Sequence, residues 1–447
     1  MGLLKEKIRH LQVSNFGNIL RGSSKAFLFS ISGRGLKLLY TFYIARELGI
    51  KATGVYFLCF SIVTLGAMLS KLGLNNYVIK YINIGYQRGD WRDVLSKYHI
   101  SIILTIVVSG LLILAISLSE QLIDTYILPN MEVAGILGFF SLAVLPVNIL
   151  HLNSEAIKAI EKPGWSSFVN FNIQPLTAIP LLYILIPMYG LWGAVLAFHI
   201  SIATALLFSL GVWIYFVDGY KLYIEKDAIG VLKFAFPHLL IVSLNFIMTY
   251  TDTLSLGILS TEEQLGGYEI SWRVATILTY VLLAFSTVLA PKFAGLYNSG
   301  KLKEIEIIAQ RSSLVITLLV LPIALVFIFL SDPLIPYFFG ADYEVSIAPL
   351  QILTIAQFIN VFTGPVGYIL MMCGYEIQLR NIIAVSSLLN IVLNIALIPH
   401  WGGVGAAIAT GISLIILNIT SLIVVNKKMG IVPIPLNLRK VLGLDGN

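Results

Sequence analysis

The chain alternates between long apolar stretches and short polar connections. Twelve of the stretches are long enough to cross a bilayer, which takes about 20 apolar residues in a helix. No connection between them is long enough to fold as a separate soluble domain. The pattern therefore predicts an all-α, polytopic membrane protein whose twelve transmembrane helices lie at about 25–46, 54–75, 98–118, 134–157, 167–187, 190–216, 233–259, 268–291, 312–331, 347–373, 380–398 and 403–425.

Composition agrees with a membrane protein. The 447 residues are 57% apolar and 12% charged, with a mean hydropathy of +0.89, whereas soluble domains carry about 25% charged residues. The net charge of +6 comes from basic residues spread over the connecting loops, so we expect no nucleic-acid partner. The chain's two cysteines both lie inside apolar stretches, which excludes a disulfide framework.

Basic residues concentrate in alternate connections. One of the basic loops carries Lys80, Arg88, Arg92 and Lys97. The loops that alternate with the basic ones carry mostly acidic residues. Because cytoplasmic loops carry the excess of Lys and Arg, we expect both termini to be cytoplasmic. Residues 1–24 then form an amphipathic segment along the membrane surface, and residues 426–447 form a cytoplasmic tail.

The chain contains an internal repeat. The stretch LIPMYGLWGAVLAFHIS at Leu185–Ser201 returns as LIPHWGGVGAAIATGIS at Leu397–Ser413, with nine of seventeen positions identical and a separation of 212. The same separation maps Gly54 onto Gly266, Tyr56 onto Tyr268 and Asn148 onto Asn360. The repeated Gly-x-x-Gly-Ala marks a tight turn into a helix whose small residues allow close packing.

Each repeat holds six spans, and an even number gives both copies the same orientation. Parallel repeats predict two lobes around a central cavity, with the substrate bound between the halves. The expected N-terminal lobe covers residues 25–216 and the C-terminal lobe 233–425, joined by a cytoplasmic linker at 217–232.

Together these patterns resemble a known family. Gly33-Arg34-Gly35, the turn Ile44-Ala45-Arg46-Glu47-Leu48-Gly49, Gly54-x-Tyr56 and the repeated Pro-x-x-Gly-x-x-Gly-Ala look like those of a polysaccharide transporter. That family belongs to the superfamily of multidrug-and-toxin extruders, oligosaccharidyl-lipid flippases and the lipid II flippase. Within it, the chain is most similar to flippases of O-antigen repeat units.

The resemblance implies a transporter and not an enzyme. Its substrate would be an undecaprenyl-diphosphate-linked oligosaccharide for lipopolysaccharide or a similar polymer, moved by alternating access across the bacterial inner membrane. Expected partners are membrane lipids and the polysaccharide polymerase and chain-length machinery, with the chain itself a monomer. The alternatives are a multidrug or small-cation exporter of the same superfamily and a membrane glycan polymerase or ligase.

No phosphate-binding glycine loop occurs in the sequence, so we expect no cofactor. Movement of the substrate would then draw on a coupling H⁺ or Na⁺, or on removal of the product by polymerisation.

Two cations lie in the middle of the first span. Arg34 and Lys37 are three positions apart, which places them on one helix face. A charge at mid-membrane is costly and usually faces a cavity or a partner. Arginine suits phosphate because its guanidinium donates two parallel hydrogen bonds, so both residues are candidates for binding the diphosphate. The alternative is that acids on other helices neutralise them and only fix packing.

Arg273 is the third candidate for the diphosphate. Lipid II flippases have a cavity arginine in the first span and another early in span 8, and the resemblance places these at Arg34 and Arg273. Another first-span arginine of those flippases has no cation here; Tyr40 falls near its place. Arg273 also stands four residues after Glu269, so an ion pair within the helix is the alternative.

Asp252 is the most isolated acid within a span. It either pairs with Arg34, Lys37 or Arg273, or binds a coupling proton or sodium ion, as acids in transporter cavities do; a position near the outer surface is a third interpretation.

A further set of polar and aromatic residues is expected either to line the cavity or to make interhelical contacts. Its members are Lys71, Tyr40, Asn245, Trp272, Asn148 and Asn360.

Overall fold

The computed structural model describes the backbone of residues 2–128, 133, 135–223 and 227–434, and the side chains of 25–128, 133, 135–223, 227–235, 239 and 249–434. No residue within these ranges belongs to a strand. The α-helices found there are α1 (Gly2–Ser70), α2 (Leu74–Gln87), α3 (Trp91–Leu122), α4 (Ile136–Ser141), α5 (Val144–Ala159), α6 (Pro163–Phe171), α7 (Ile173–Tyr189), α8 (Leu191–Phe216), α9 (Ala228–Leu259), α10 (Glu262–Ala275), α11 (Ile277–Asn298), α12 (Leu302–Phe329), α13 (Ser331–Phe339), α14 (Ile347–Phe362), α15 (Val366–Met372) and α16 (Glu376–Met429).

The helices confirm an all-α polytopic membrane protein. Eight apolar stretches of the described residues are long enough to cross a membrane. Three of them, Lys25–Ser70, Pro163–Phe216 and Glu376–Met429, have 46, 54 and 54 residues, enough for two passes each at about 20 residues a pass. The apolar α9 supplies one more pass, which reproduces the twelve expected from the sequence.

Glycines make the turns inside the double-length stretches. Gly49 breaks α1 with φ 73° and ψ 173°, a backbone conformation open to glycine and strained for other residues. Gly190 separates α7 from α8 with φ 56° and ψ −131°, and Gly402 breaks α16 with φ 51° and ψ −128°. Gly190 and Gly402 are 212 positions apart, so the sequence repeat is also a repeat of backbone geometry.

The second small residue of the repeated motif packs as expected. A Cβ on Gly193 would overlap the backbone carbonyl of Leu185, and a Cβ on Gly405 would overlap that of Leu397. These partners are again 212 positions apart. The motif therefore closes the turn by letting the following helix lie directly on the end of the preceding one.

The chain forms two compact units. The first comprises Met1–Ile44, Ile62–Gln121 and Ala134–Val242, and the second comprises Ala45–Ser61, Leu122–Val133 and Ser243–Asn447. The lobe boundaries expected from the sequence stay a prediction. The expected N-terminal segment 1–24 lies outside the described side chains, and most of the tail 426–447 lies outside the described backbone.

Polar side chains tie the helices of the first unit together. The Asn148 amide donates to the hydroxyl oxygens of Ser70 at 2.7 Å and Ser109 at 3.0 Å, with Asn148 fully buried. In the second unit a hydrophobic cluster around Phe293, Ile305 and Ile369 joins α11, α12, α15 and α16. The hydrogen bonds of Asn148 suit a membrane interior, where a polar group without a partner is costly.

Candidate functional site

In the first unit, Arg34 lies beside a close contact between α1 and α6. A Cβ on Gly33 would overlap the backbone of Phe171, so only glycine permits this approach. Asn172, at the break between α6 and α7, donates to the Phe29 carbonyl at 2.7 Å and accepts from the Ser32 hydroxyl at 2.7 Å. These bonds fix the turn of α1 that carries Arg34, which is half-buried.

Lys37 follows on the same face of α1 and is exposed. Its Nζ lies 5.8 Å from the centroid of the Phe171 ring, within the range of a cation–π contact. The end of α6 thus supports both positions: its backbone packs beside Arg34, and its terminal ring lies near Lys37.

Further charges of the first unit lie within electrostatic range of Lys37. The positive charges of Lys71 and Lys37 both act on the imidazole of His151. The carboxylate of Glu155 acts on Lys71 and lies 3.3 Å from Lys158. We call Lys37 and Lys71 the cationic cluster. The two lysines come from α1 and the turn that follows α1, and the imidazole on which both act comes from α5.

Two other candidates of the first unit are buried. Tyr40 is 7% exposed. The two bonds of the Asn148 amide to Ser70 and Ser109 are the interhelical contact that was one of its two interpretations. Neither placement assigns a contact with a substrate.

In the second unit, Asp252 is 2% exposed and accepts four hydrogen bonds. One carboxylate oxygen accepts from Asn394 at 2.6 Å and Asn390 at 3.0 Å. The other accepts from Tyr268 at 2.7 Å and Thr410 at 2.5 Å. All four partners are neutral. We call these five residues the Asp252 cluster.

One oxygen of the Asp252 cluster lacks a partner. The side-chain Oδ1 of Asn394 is buried and, among the described residues, has no hydrogen-bond donor within reach. Carboxylate, amide and hydroxyl oxygens are the ligands that hard cations prefer. A buried oxygen without a donor beside a buried carboxylate is chemically suited to a proton or a small cation.

The Asp252 cluster belongs to one repeat alone. The positions 212 residues earlier are Tyr40, Tyr56, Ala178, Leu182 and Phe198. None of these side chains carries a carboxylate or an amide, so the first repeat cannot build an equivalent cluster from the same positions.

Arg273 forms the ion pair with Glu269 that was the alternative to a diphosphate contact. Its Nη2 donates to Glu269 Oε2 at 2.9 Å, and the Thr253 hydroxyl donates a short hydrogen bond to the other carboxylate oxygen. The guanidinium carbon lies 3.8 Å from the centroid of the Phe57 ring. Arg273 Nε is buried and has no acceptor among the described residues.

The remaining candidates of the second unit are Asn360, Trp272 and Asn245. Asn360 is half-buried and donates to Gln357 at 3.1 Å, a local contact within α14. Trp272 is half-buried beside Arg273. The side chain of Asn245 lies outside the described residues.

Sequence reasoning missed most of the Asp252 cluster. Asn390, Asn394 and Thr410 carry no motif that links them to Asp252, which is up to 158 positions away. The one available signal was the four-residue spacing of the two asparagines, which places them on one face of α16. His151, on which the charges of Lys37 and Lys71 both act, likewise carries no motif that links it to them.

Comparisons with known proteins give a family and a fold. The model of the family described as polysaccharide biosynthesis protein matches residues 19–296. A second model, MatE, matches residues 237–396. The chain is 26% identical over 399 residues to the probable low-salt glycan biosynthesis flippase Agl15 of Haloferax volcanii, covering 89% of this chain and 81% of that protein. The probable flippase AglR of the same organism is 22% identical over 405 residues, with the same coverage.

Solved structures share the architecture. The inward-closed lipid II flippase MurJ superposes with a TM-score of 0.75 at 19% identity, covering 89% of this chain and 87% of that one. An inward-facing multidrug resistance MATE family transporter of the MOP superfamily superposes with a TM-score of 0.73 at 13% identity, covering 94% and 100%. At identities of 13% and 19%, the similarity shows that this chain shares the fold of these proteins.

Proposed function

The chain belongs to the family of polysaccharide biosynthesis proteins, as the resemblance in its sequence predicted, and we propose that it is a flippase for a lipid-linked oligosaccharide. The flippase carries the phosphate-linked headgroup across the membrane by alternating access while the polyprenyl tail stays in lipid. The relatives Agl15 and AglR, whose names describe probable flippases, support this activity. We assign transport to the chain and no catalytic step.

The observation that carries the proposal is the cationic cluster. Lys37 lies within an apolar membrane segment, where a central charge costs about 2.5–3.5 kcal/mol to insert, and Lys71 directly follows the end of that segment. A site that collects such charges is suited to an anionic ligand, because phosphate oxygens replace the lost hydration with charge-assisted hydrogen bonds. Arg34, one turn before Lys37, adds a planar donor for the same phosphate groups.

Arg273 is proposed as a phosphate contact of the second unit. Glu269 engages one Nη of the guanidinium and Phe57 covers its face. The ion pair with Glu269 and a substrate contact are compatible if the phosphate takes the remaining donors. The partnerless Nε supports a ligand or a water molecule at this group.

We propose that the Asp252 cluster binds the coupling ion, H⁺ or Na⁺. The cluster holds one carboxylate, two amides and two hydroxyls, whose oxygen atoms suit either ion. The partnerless Oδ1 of Asn394 supports a further contact with the bound ion. These residues hold a proton or a cation at the Asp252 carboxylate, where binding removes the cost of a buried negative charge.

The proposal extends to the identity of the carrier lipid and of the membrane in which the protein lies. The sequence predicts undecaprenyl diphosphate, a bacterial inner membrane and cytoplasmic termini. Both named flippase relatives come from the archaeon Haloferax volcanii, so a polyprenyl carrier with a single phosphate must be tested beside the undecaprenyl diphosphate. In either case the positive-inside rule assigns the basic loops to the cytoplasm, and the proposal is that the substrate loads from that leaflet.

Export of small cations is the second candidate function. The MatE match over residues 237–396 and the buried Asp252 favour it. The cationic cluster disfavours it, because it repels a cationic drug.

The test is transport by the purified chain in liposomes. A fluorescent disaccharide linked to undecaprenyl diphosphate, or to a polyprenyl monophosphate, is placed in the membrane, and a membrane-impermeant quencher reports the leaflet it occupies. Lys37→Gln and Lys71→Gln are expected to slow movement about ten- to hundredfold, the loss of one charge-assisted hydrogen bond in each. Lys51→Gln is the matched control.

Lys51 suits that purpose because its pair with Glu263 at 3.2 Å is exposed, with side chains 66% and 51% accessible. Such surface pairs contribute about 0–1 kcal/mol. Failure of the wild type to move either lipid, together with movement of ethidium, would replace the flippase by a cation exporter. Equal rates in all three variants would keep the flippase and reject the cationic cluster as its headgroup site.

A further inference from the structure

The first unit carries an apolar groove between α6 and α8. The groove has a volume of about 400 Å³ and is lined by Trp165, Phe208, Gly211, Val212, Tyr215 and Phe216. Trp165, Phe208 and Tyr215 are 45%, 42% and 81% exposed, so the rings form walls that no protein segment of the described chain covers. Its volume lies in the range of about 300–1,000 Å³ that ligand pockets occupy.

Gly211 opens the floor of this groove. It lies within α8, is exposed, and has no atom within 4 Å of the place where a Cβ would stand. Glycine is unfavourable in a helix by about 0.5–1 kcal/mol relative to alanine. At this position neither a turn nor a close helix contact requires glycine, and the missing side chain leaves space beside the aromatic rings.

A cation lies at one end of the groove. Lys162 immediately precedes α6, and its Nζ lies 5.3 Å from the centroid of the Phe216 ring. Aromatic walls with an ammonium group at one end complement an amphiphile that has an apolar chain and an anionic head. The same end of α8 leads into the 217–223 connection, on the side that the basic loops assign to the cytoplasm.

Aromatic contacts connect this groove with the helix of the proposed headgroup site. The Trp165 ring lies 6.3 Å from Phe168, which in turn lies 4.9 Å from Phe29 of α1. Phe171, at the end of α6, lies 5.8 Å from Lys37 Nζ. One short helix, α6, therefore lines the groove with one part of its surface and contacts the cationic span with another.

We propose that the groove binds the polyprenyl tail of the lipid-linked substrate, with Lys162 contacting the phosphate before it moves to the cationic cluster. This inference rests on the proposed flippase function. A polyprenyl chain is methyl-branched and unsaturated, so its flat double bonds and methyl groups fit between aromatic rings. A saturated phospholipid chain lacks those double bonds and methyl branches, so we expect it to bind the groove more weakly.

Photo-crosslinking of the purified full-length protein tests the proposal. The probe is a polyprenyl phosphate with a diazirine in its tail, and cross-linked peptides are identified by mass spectrometry. Labelling is expected in residues 163–171 and 205–216, and excess unlabelled polyprenyl phosphate is expected to remove it, whereas phosphatidylglycerol is not. Gly211→Leu is expected to lower the labelling about tenfold, a loss equivalent to roughly two buried methylene groups.

Gly110→Leu is the matched control. Gly110 is also an exposed helical glycine of the first unit, and a Cβ added to it would meet no atom within 4 Å. The two variants therefore add the same side chain to comparable surfaces. Lys162→Gln is expected to weaken the binding of the phosphate probe and to leave a polyprenol probe unaffected.

The outcomes separate this inference from the function on which it rests. Equal labelling of wild type and Gly211→Leu, or equal competition by phosphatidylglycerol, would overturn the tail groove even where liposomes show flipping. Labelling confined to the groove in a protein that flips neither carrier would instead overturn the flippase and leave a polyprenyl-binding surface.

Discussion

Gly54 and Gly266 occupy equivalent positions of the two repeats, and each packs against the backbone that precedes the other. A Cβ on Gly54 would overlap the carbonyl of Glu262, and a Cβ on Gly266 would overlap the carbonyl of Ile50. Ile50 and Glu262 are themselves 212 positions apart. The contact is therefore reciprocal, as across a two-fold axis, and it lies wholly within the second unit.

This contact predicts that Gly54→Ala and Gly266→Ala both destabilise the protein. Each added methyl group forces α1 and α10 apart, and overpacking of this kind costs roughly 1–3 kcal/mol. Thermal unfolding in detergent measures the effect. Gly110→Ala, on an open helix surface, is expected to leave the midpoint unchanged or to raise it, because alanine favours helix by about 0.5–1 kcal/mol. Equal midpoints for all three variants would show that the contact is loose.

The ion pair of Arg273 and Glu269 predicts a rescue. Arg273→Gln leaves the Glu269 carboxylate buried at 3% side-chain exposure without its cation, which costs roughly 3–5 kcal/mol for a buried pair. Adding Glu269→Gln removes the stranded charge, so the double variant is expected to regain most of the stability. If Arg273 also contacts the phosphate, the stable double variant still transports slowly. If the double variant transports at the wild-type rate, Arg273 serves the packing of the helices and does not contact the phosphate.

The Asp252 cluster predicts loss of ion coupling in Asp252→Asn. The substitution preserves shape and removes the charge, so the folded protein is expected to transport at a rate that no longer responds to an imposed H⁺ or Na⁺ gradient. Tyr268→Phe removes one of four donors and is expected to weaken the response in part. Asp342→Asn, at an exposed acid, is the control. A response to both gradients in Asp252→Asn equal to that of wild type would place coupling elsewhere.

The side chain of His99 holds the 217–223 connection in place through contacts with two of its residues. Its Nδ1 lies 2.9 Å from the Tyr223 carbonyl oxygen and its Nε2 lies 2.9 Å from the Tyr220 hydroxyl. The Tyr223 backbone N–H also lies 3.4 Å from Nδ1, so the ring contacts both polar backbone groups of Tyr223. His99→Phe removes both bonds, so trypsin is expected to cleave after the exposed Lys221 several times faster than in wild type.

The control for this experiment is His400→Phe, at an exposed histidine of α16 beside the break at Gly402. Unchanged cleavage in His99→Phe would mean that the cation–π contact of Arg92 with the Tyr223 ring, at 5.5 Å, is sufficient to hold the segment.

Much of the fold follows from the sequence because its determinants are local. A bilayer requires about 20 apolar residues per helix, so hydropathy alone locates the passes. The turn at Gly190 and its copy at Gly402 follow from the repeated motif, since glycine there adopts a conformation that other residues avoid. The pair of Arg273 and Glu269 follows from the helical period, which brings side chains four positions apart together.

Which distant residues meet depends on the packing of the helices. Asp252, Asn390, Asn394 and Thr410 lie on α9 and α16, and no local period relates the first to the other three. The approach of His151 to the two lysines of the cationic cluster and the reciprocal packing of Gly54 and Gly266 likewise have no signal in the sequence. Helix periodicity and hydropathy act within a single segment, whereas these sites require separate helices to rotate and pack against one another. The passes, their turns and the candidate charges are thus encoded locally along the chain, and the partners of those charges are set by three-dimensional packing.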